Sequence, residues 1–304
     1  MRTDQLSRPQ RRTLETLLLH GRPRPVFDDE LPDRLREHIV GELGQLPEQV
    51  YLTKSRLTNA ERCEGRFEAA LANEGPPFEH SANTAGGLLV HRAIELEVGG
   101  REERDAHLLV TTAADRLADE TASFAAYWNG CDELARDELA MRAMNQLVLF
   151  RETFPPLRPM RAELAPMTEW HFRTELLDGS LILDGRIDLS LGRQEGAAAG
   201  RLLIDLKAEG AWPDHAEDMR FYALVHTLRF GVPPYRVASV FLTSGEWQVE
   251  DVTERTLRRA ADRVIEAART AARLSRGTPA ALTPGRYCSW CPRSATCPAS
   301  AAAG

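Results

Sequence analysis

The chain has 304 residues, 43% of them apolar, which is enough to build a substantial hydrophobic core. The formal net charge of −7 at pH 7 argues against a protein that coats nucleic acid through its overall charge. No run of about 18 apolar residues occurs, and residues 1–12 lack the apolar core of a signal peptide, so we expect a cytoplasmic protein without a membrane helix.

Two domains are predicted along the chain. Prolines between short helical patterns predict a helical N-terminal extension over residues 1–52, and the second domain covers 53–304. Within the second domain, the spacing of large apolar residues predicts a helical insert at about 101–160. A cysteine-rich tail at 287–298 ends it.

The second domain is predicted to open with helices. One starts at Thr53 and contains Cys63, and a loop rich in glycine and proline follows over 73–87. A second helix then carries His91 and Glu95 on one face. A lone histidine on a helix is more often structural, but at the edge of a sheet His91 could serve a cation as an imidazole ligand.

After residue 160 the pattern changes to β-strands. Five strands are predicted, at 168–175, 181–191, 201–207, 236–243 and 246–252. A helix from Asp214 separates the third strand from the fourth, and an arginine-rich helix at 254–276 follows the fifth. This order predicts an α/β fold, a mixed sheet flanked by helices. We interpret the arginine-rich helix as a solvated face rather than a DNA track.

Two neighbouring strands carry the most informative residues. Gly185-Arg186-Ile187-Asp188 and Asp205-Leu206-Lys207 each alternate polar and apolar side chains, which predicts that Leu183, Ile187 and Leu189 share the core face and the acidic residues the other. Two carboxylates on adjacent strands could share Mg²⁺ or Mn²⁺.

Such a cation would activate water and neutralise charge on a phosphate, and Lys207 would supply a nearby positive charge. Taken alone, this pattern is more often a hairpin with one solvated face.

Five cysteines, an odd number, make a disulfide framework improbable. The tail holds Cys288, Cys291 and Cys297 in a C-x2-C-x5-C spacing that suits a metal bound by thiolates. Cys63 is the candidate for the fourth ligand and Cys131 is the competitor. A [4Fe-4S] cluster and Zn²⁺ both accept four thiolates, so the spacing leaves both open.

In this order, the motifs of residues 54–297 resemble the RecB-like nucleases of the PD-(D/E)XK phosphodiesterase superfamily. The resemblance is to the branch with an iron–sulfur staple, which includes AddB-type nuclease domains and CRISPR-adaptation exonucleases. The matching segments are Ser55-Arg56-Leu57 with Cys63, residues 87–95 with His91, Gly185 to Asp188, Ile204 to Lys207, the helix with Tyr222, and the cysteine tail.

The resemblance implies a restriction-endonuclease-like fold and assigns roles to residues. It implies that His91, Asp188, Asp205 and the main-chain carbonyl of Leu206 bind the metal and that Lys207 is catalytic. Cys63, Cys288, Cys291 and Cys297 would hold a [4Fe-4S] cluster. Glu95 and Glu169 would lie beside the metal ligands, and Tyr222 would help to place DNA.

The implied function is a Mg²⁺- or Mn²⁺-dependent exonuclease acting on single-stranded or end-bearing DNA in repair, recombination or defence, with any helicase on a separate chain. The chain departs from the family at Asp218, where a glutamine is usual. Asp218 could be an additional metal ligand through water or a solvated residue of the first helical turn, and we favour the second interpretation. One alternative function is a weakly active or inactive module of the same fold that binds DNA ends or proteins. Another is a structural subunit of a larger complex, with zinc at the cysteines.

Overall fold

A computed structural model describes residues 5–210 and 214–300 of the chain, and in that part a six-stranded sheet forms the centre. Its strands are β1 Val50–Leu52, β2 Met167–Leu176, β3 Leu181–Leu191, β4 Leu202–Lys207, β5 Arg236–Phe241 and β6 Trp247–Asp251. The pairs β1–β3 and β4–β5 are parallel, and the other pairs are antiparallel. The predicted α/β fold with a mixed sheet is therefore confirmed.

Helices cover both faces of the sheet. They are α1 Arg8–Arg12, α2 Leu31–Leu43, α3 Lys54–Arg62, α4 Glu64–Leu71, α5 Ala82–Gly99, α6 Ala106–Glu120, α7 Ala122–Gly130, α8 Glu133–Thr153, α9 Arg161–Leu164, α10 Asp214–Phe230 and α11 Glu254–Ser275. A π-helical turn, Thr13–Leu17, follows α1, and a 3-10 turn, Arg286–Trp290, lies in the tail. None of the helices within 5–210 and 214–300 has the length and apolar character needed to cross a membrane.

The first predicted helix of the second domain is two helices, α3 and α4. Cys63 lies between them with an extended backbone, φ −164° and ψ 121°, so the prediction that it lies within a helix is wrong. Its N–H donates to the Asn59 carbonyl and its own carbonyl accepts from the Phe67 N–H, so both helix ends keep their hydrogen bonds. The break places the thiol at the junction of the two helices.

Two hydrophobic clusters lie on opposite faces of the sheet. One contains Ile204 of β4 with residues of α5, α6 and α8, and the other contains Leu203 with residues of α2, α10 and α11. Residues 1–52 contribute to both, for example Leu17 to the first cluster and Leu35 to the second. From the same segment, β1 joins the sheet, a strand that the sequence analysis did not predict.

β3 changes faces along its length. Leu183 and Ile187 lie in the α10 cluster, whereas Leu189 lies in the α5 cluster, so the prediction that all three share one face is wrong. A regular strand would keep these odd-numbered positions on one side. The reversal occurs at Asp188, where the β3–β4 ladder ends at the pair Leu189↔Ile204.

The arginine-rich helix α11 is packed along one face and ion-paired along the other. Arg263 contacts Glu61 at 2.6 Å, Arg259 contacts Glu217 at 2.8 Å, and Arg273 pairs with Glu64. These arginines bind neighbouring helices, so their charge is already compensated within the chain. The geometry agrees with the preference against a DNA track.

Gly185 of β3 is a position where one added carbon should matter. A Cβ there would lie 2.9 Å from the ring of Tyr222 and 3.1 Å from that of Phe172, both buried. We expect Gly185→Ala to destabilise the fold by about 1–3 kcal/mol through overpacking, measured by chemical denaturation. As the matched control, Gly41→Ala in α2 should be neutral or stabilising, because an added Cβ there would meet no described residue within 4 Å beyond its own helix. Equal effects at both glycines would contradict this packing.

Candidate metal centre and cysteine cavity

His91, Glu169 and Asp188 form a group of possible metal ligands. Among the described residues it is the one group of three His, Cys, Asp or Glu side chains whose donor atoms all lie within 4.8 Å of one another. His91 Nδ1 is 3.4 Å from Asp188 Oδ1. Helix α5 and strands β2 and β3 supply the three side chains, so the structure brings together two of the predicted ligands, His91 and Asp188.

The backbone around Asp188 is arranged so that its carboxylate enters the gap between strands. Beyond the pair Leu189↔Ile204, the Leu206 N–H donates to a side chain of β3, Asp188 Oδ2, at 2.6 Å rather than to a main-chain carbonyl. On the other side of β3, Glu169 has φ +50°, a left-handed conformation that costs a non-glycine residue about 1–2 kcal/mol. Residues held in such conformations cluster at functional sites.

The charges of this group are interdependent. Burial lowers the pKa of His91, but the carboxylates of Asp188, Asp205 and Glu169 outweigh it and the net pKa is raised. Burial and the nearby Asp188 raise the pKa of Glu169, while its ion pair with Arg186 opposes that rise. The carboxylates that now favour a proton on His91 could bind a divalent cation instead. His91 would then be deprotonated, because histidine binds a metal in its neutral form.

Asp205 lies outside this group of three and forms ion pairs with two lysines. Its side chain is 3% exposed, Lys54 Nζ lies 3.2 Å from Oδ1, and Lys207 pairs with Oδ2. Burial raises the pKa of Asp205, but the two ammonium groups lower it more strongly, to about 2. Asp205 is thus a buried anion. The hypothesis that Asp205 and Lys207 lie on the solvated face of a hairpin is therefore wrong.

Sequence reasoning missed Lys54. Of the 38 lysine and arginine residues in the chain only two, Lys54 and Lys207, are lysines. Both reach the same carboxylate. That composition was visible in the sequence and could have pointed to Lys54.

Tyr222 and Asp218 lie one turn apart on α10, on the side that faces this site. The Tyr222 ring centroid is 5.2 Å from Lys54 Nζ, and burial raises the pKa of the phenol. Asp218 is 9% exposed, and its Oδ1 has no hydrogen-bond partner among the residues that the structure describes. The interpretation of Asp218 as solvated is therefore wrong. Burial raises its pKa, against the effect of Lys54 and Lys207.

Glu95 and Leu206 are the two other positions that the resemblance assigns to the metal site or its surroundings. Glu95 pairs with Arg92 at 2.7 Å within α5 and does not belong to the group of three possible ligands. At Leu206 it is the amide that contacts Asp188, and a metal-binding role for its carbonyl stays a prediction.

The four predicted cysteines line one cavity. Cys63, Cys288, Cys291 and Cys297 border a space of about 190 Å³, and Cys131 does not. Cys131 instead follows α7, hydrogen-bonded to Tyr127. No three of the four cavity thiols have their Sγ atoms within 4.8 Å of one another.

Contacts on both sides hold the tail against α3 and α4. The Tyr287 hydroxyl donates to the Arg62 carbonyl at 2.7 Å, and Arg293 pairs with Glu68 and, at 2.5 Å, with Glu74. At Gly65, beside Cys63, an added Cβ would lie 2.6 Å from Leu282. The cavity is therefore a packed junction between the N-terminal part of the domain and its tail.

A sequence profile described as the PD-(D/E)XK nuclease superfamily matches residues 51–298. No curated protein matches the chain. Among solved structures, a provisionally named exonuclease from Eubacterium rectale is similar, with 12% identity over 76% of this chain and 84% of that chain and a TM-score of 0.47. The protein SSO0001 is 13% identical over 88% of this chain and 94% of its own, with a TM-score of 0.33.

Proposed function

The chain belongs to the PD-(D/E)XK nuclease superfamily, and on that ground we propose that it is a divalent-metal-dependent nuclease that hydrolyses phosphodiester bonds in DNA. One observation carries the proposal: His91, Glu169 and Asp188 converge within 4.8 Å beside the Asp205–Lys207 pair. Oxygen-rich donor sets of this kind suit Mg²⁺ and Mn²⁺.

His91, Asp188 and Asp205 would hold the cation, with Glu169 as a further oxygen donor. When bound there, a divalent cation lowers the pKa of its water and neutralises charge on the phosphate. The Lys207 ammonium, which pairs with Asp205, would orient the attacking water and stabilise negative charge on the phosphoryl oxygens.

We assign exonuclease action on single-stranded or end-bearing DNA as the finer proposal. An open groove of about 520 Å³ runs from His91 and Lys207 past Leu88 to Phe78 and His80. The Phe78 side chain is 62% exposed there. An exposed aromatic ring beside a phosphodiesterase site offers a surface on which an unpaired base can stack.

Phe78→Ala should weaken binding of a single-stranded oligonucleotide by about 5- to 100-fold, because stacking on an aromatic side chain contributes about 1–3 kcal/mol per base. Phe78→Trp should keep it. Fluorescence anisotropy with a labelled oligonucleotide and Ca²⁺ in place of Mg²⁺ measures the affinity without cleavage. The control is Leu134→Ala, which truncates another exposed apolar side chain, 68% exposed, in the helical insert. Equal affinity of Phe78→Ala and wild type would contradict stacking.

For the cysteine cavity we propose a [4Fe-4S] cluster with a structural role. The support is that the four cysteines that the resemblance assigns to a cluster all border one cavity. Four thiolates there would also accept Zn²⁺. Iron and zinc analysis of anaerobically purified protein distinguishes the two. Free thiols also suit the reducing cytoplasm, where we place the protein.

The proposed function is tested by anaerobic assays on end-labelled single and double strands and on circular single strands, with Mg²⁺ or Mn²⁺. We expect mononucleotides or short products from ends and no cutting of circles. We propose a RecB-like role in repair, recombination or defence, with any helicase on a separate chain. Absence of cleavage by metal-loaded protein would overturn the proposal.

A second candidate is a non-catalytic module that binds DNA ends or a partner protein. The buried carboxyl group of Asp218 favours it, because the resemblance to the RecB-like nucleases implies a neutral glutamine at that position of α10. DNA binding that is insensitive to chelators and to Asp205→Ala, without cleavage, would support this candidate.

A further inference from the structure

Both lysines of the chain lie in one place. Lys54 follows the short strand β1 and is the first residue of α3, whose N-cap is Thr53. Because β1 and β4 occupy the same edge of β3, this helix start faces Asp205 across the gap that also contains Asp188. Lys54 Nζ lies 3.2 Å from Asp205 Oδ1, and Lys207 occupies the other oxygen.

The residue type is informative. Elsewhere the chain carries its positive side chains as arginine, including every basic residue of α11. An ammonium is a compact charge with three donors, whereas a guanidinium is a planar fork that needs more room. Lysine at both positions therefore places two compact ammonium groups on one buried carboxylate.

The neighbours of Lys54 also bear on its role. Its ammonium lies over the ring of Tyr222, at 5.2 Å from the centroid. One turn earlier on α10, Asp218 adds a buried carboxylate, one oxygen of which has no hydrogen-bond partner within residues 5–210 and 214–300. With Asp188, Asp205 and Asp218 close together, a second cation reduces the negative charge that an incoming phosphate meets.

We propose that Lys54 is a positioning lysine of this nuclease, which orients the Asp205 carboxylate from the side opposite Lys207 and offsets the charge of Asp218 so that DNA can approach the metal. The inference rests on the proposed function. It adds a second lysine to the site and explains how the site accommodates an acidic residue on α10.

The test compares Lys54→Met, Lys54→Arg and wild type. We expect Lys54→Met to lower kcat and the apparent Mn²⁺ affinity by about 10- to 100-fold, the range typical of partners that orient metal ligands, with a smaller change in KM. Lys54→Arg keeps the charge and should recover most of the Mn²⁺ affinity and part of kcat. Adding Asp218→Asn to Lys54→Met should restore part of the loss, because it removes the uncompensated anion.

The matched control is Arg12→Met, which removes an ion pair to Glu246 at 3.1 Å and a cation–π contact to Trp247 at 4.2 Å. It should change neither kcat nor Mn²⁺ affinity. Mn²⁺ binding is followed by electron paramagnetic resonance, which does not depend on cleavage. If wild type cuts no DNA, the proposed function is wrong, but the Mn²⁺ affinities of the variants still test the role of Lys54. If folded Lys54→Met and Lys54→Arg both bind Mn²⁺ like wild type, the inference is wrong.

Discussion

Asp188→Asn should lower DNA cleavage by about 1,000-fold or more while leaving the protein folded. The Asp188 carboxylate accepts the Leu206 N–H with one oxygen and faces His91 with the other, so it joins β3, β4 and α5 at the proposed metal. Asparagine keeps the shape and one acceptor but removes the negative charge that a hard cation requires. Removal of a single catalytic donor typically costs about 100- to 1,000-fold, and loss of a metal ligand should exceed that.

The same strand offers a matched control. Asp184 is four residues earlier on β3, is also mostly buried, and contacts His171 at 2.5 Å and Tyr51. Asp184→Asn should retain wild-type kcat, because its partners lie outside the group of possible ligands. Both variants are compared by single-turnover cleavage of an end-labelled oligonucleotide, with Tm as the check on folding. Similar losses in the two variants would point to a general effect on β3 rather than to a metal ligand.

The sequence was sufficient for the parts of the site that depend on local pattern. Asp205 and Lys207 are two residues apart on one strand, so their common face follows from the two-residue repeat of a β-strand. The order of strands and helices also followed from local patterns, and with it the fold class. The cysteine spacing in the tail likewise identified three residues that now line one cavity.

Features that depend on pairing between distant segments were missed. Lys54 reaches Asp205 because β1, only three residues long, pairs in parallel with β3 in the register Leu52↔Leu183. A three-residue strand inside a proline-rich segment has too little pattern to be recognised. Asp218 was misinterpreted for a related reason: its burial arises from the packing of α10 across the sheet and over the lysines, which no local pattern records.

The cysteine cavity and the groove beside His91 share a structural element. Arg293 of the tail holds Glu74 at 2.5 Å, and a Cβ at Gly75 would lie 3.3 Å from Pro292. The loop that starts there leads to Phe78 in the groove beside His91. A metal centre at the cysteines, as proposed, would therefore restrain the loop that carries the exposed aromatic ring.

Cys63→Ser should abolish cluster binding and destabilise the protein by about 5 kcal/mol, since a crosslink between Cys63 and the tail closes a loop of more than 200 residues. That loss is comparable with the total stability of many domains, about 5–15 kcal/mol. The variant purified anaerobically should contain no iron and should lack the absorbance at about 400 nm. Because the loop to Phe78 is anchored on the tail, the affinity of the variant for single-stranded DNA should also fall.

Cys131→Ser provides the control for this prediction, because Cys131 lies beside Tyr127 and away from the cavity. It should keep its iron content, absorbance and Tm at wild-type values. Loss of the cluster from Cys131→Ser with retention in Cys63→Ser would overturn the assignment of the fourth ligand. Stoichiometric zinc without iron in wild type would instead identify a zinc site, and the loss of stability in Cys63→Ser should then persist, because any metal shared by these thiolates links the same two segments.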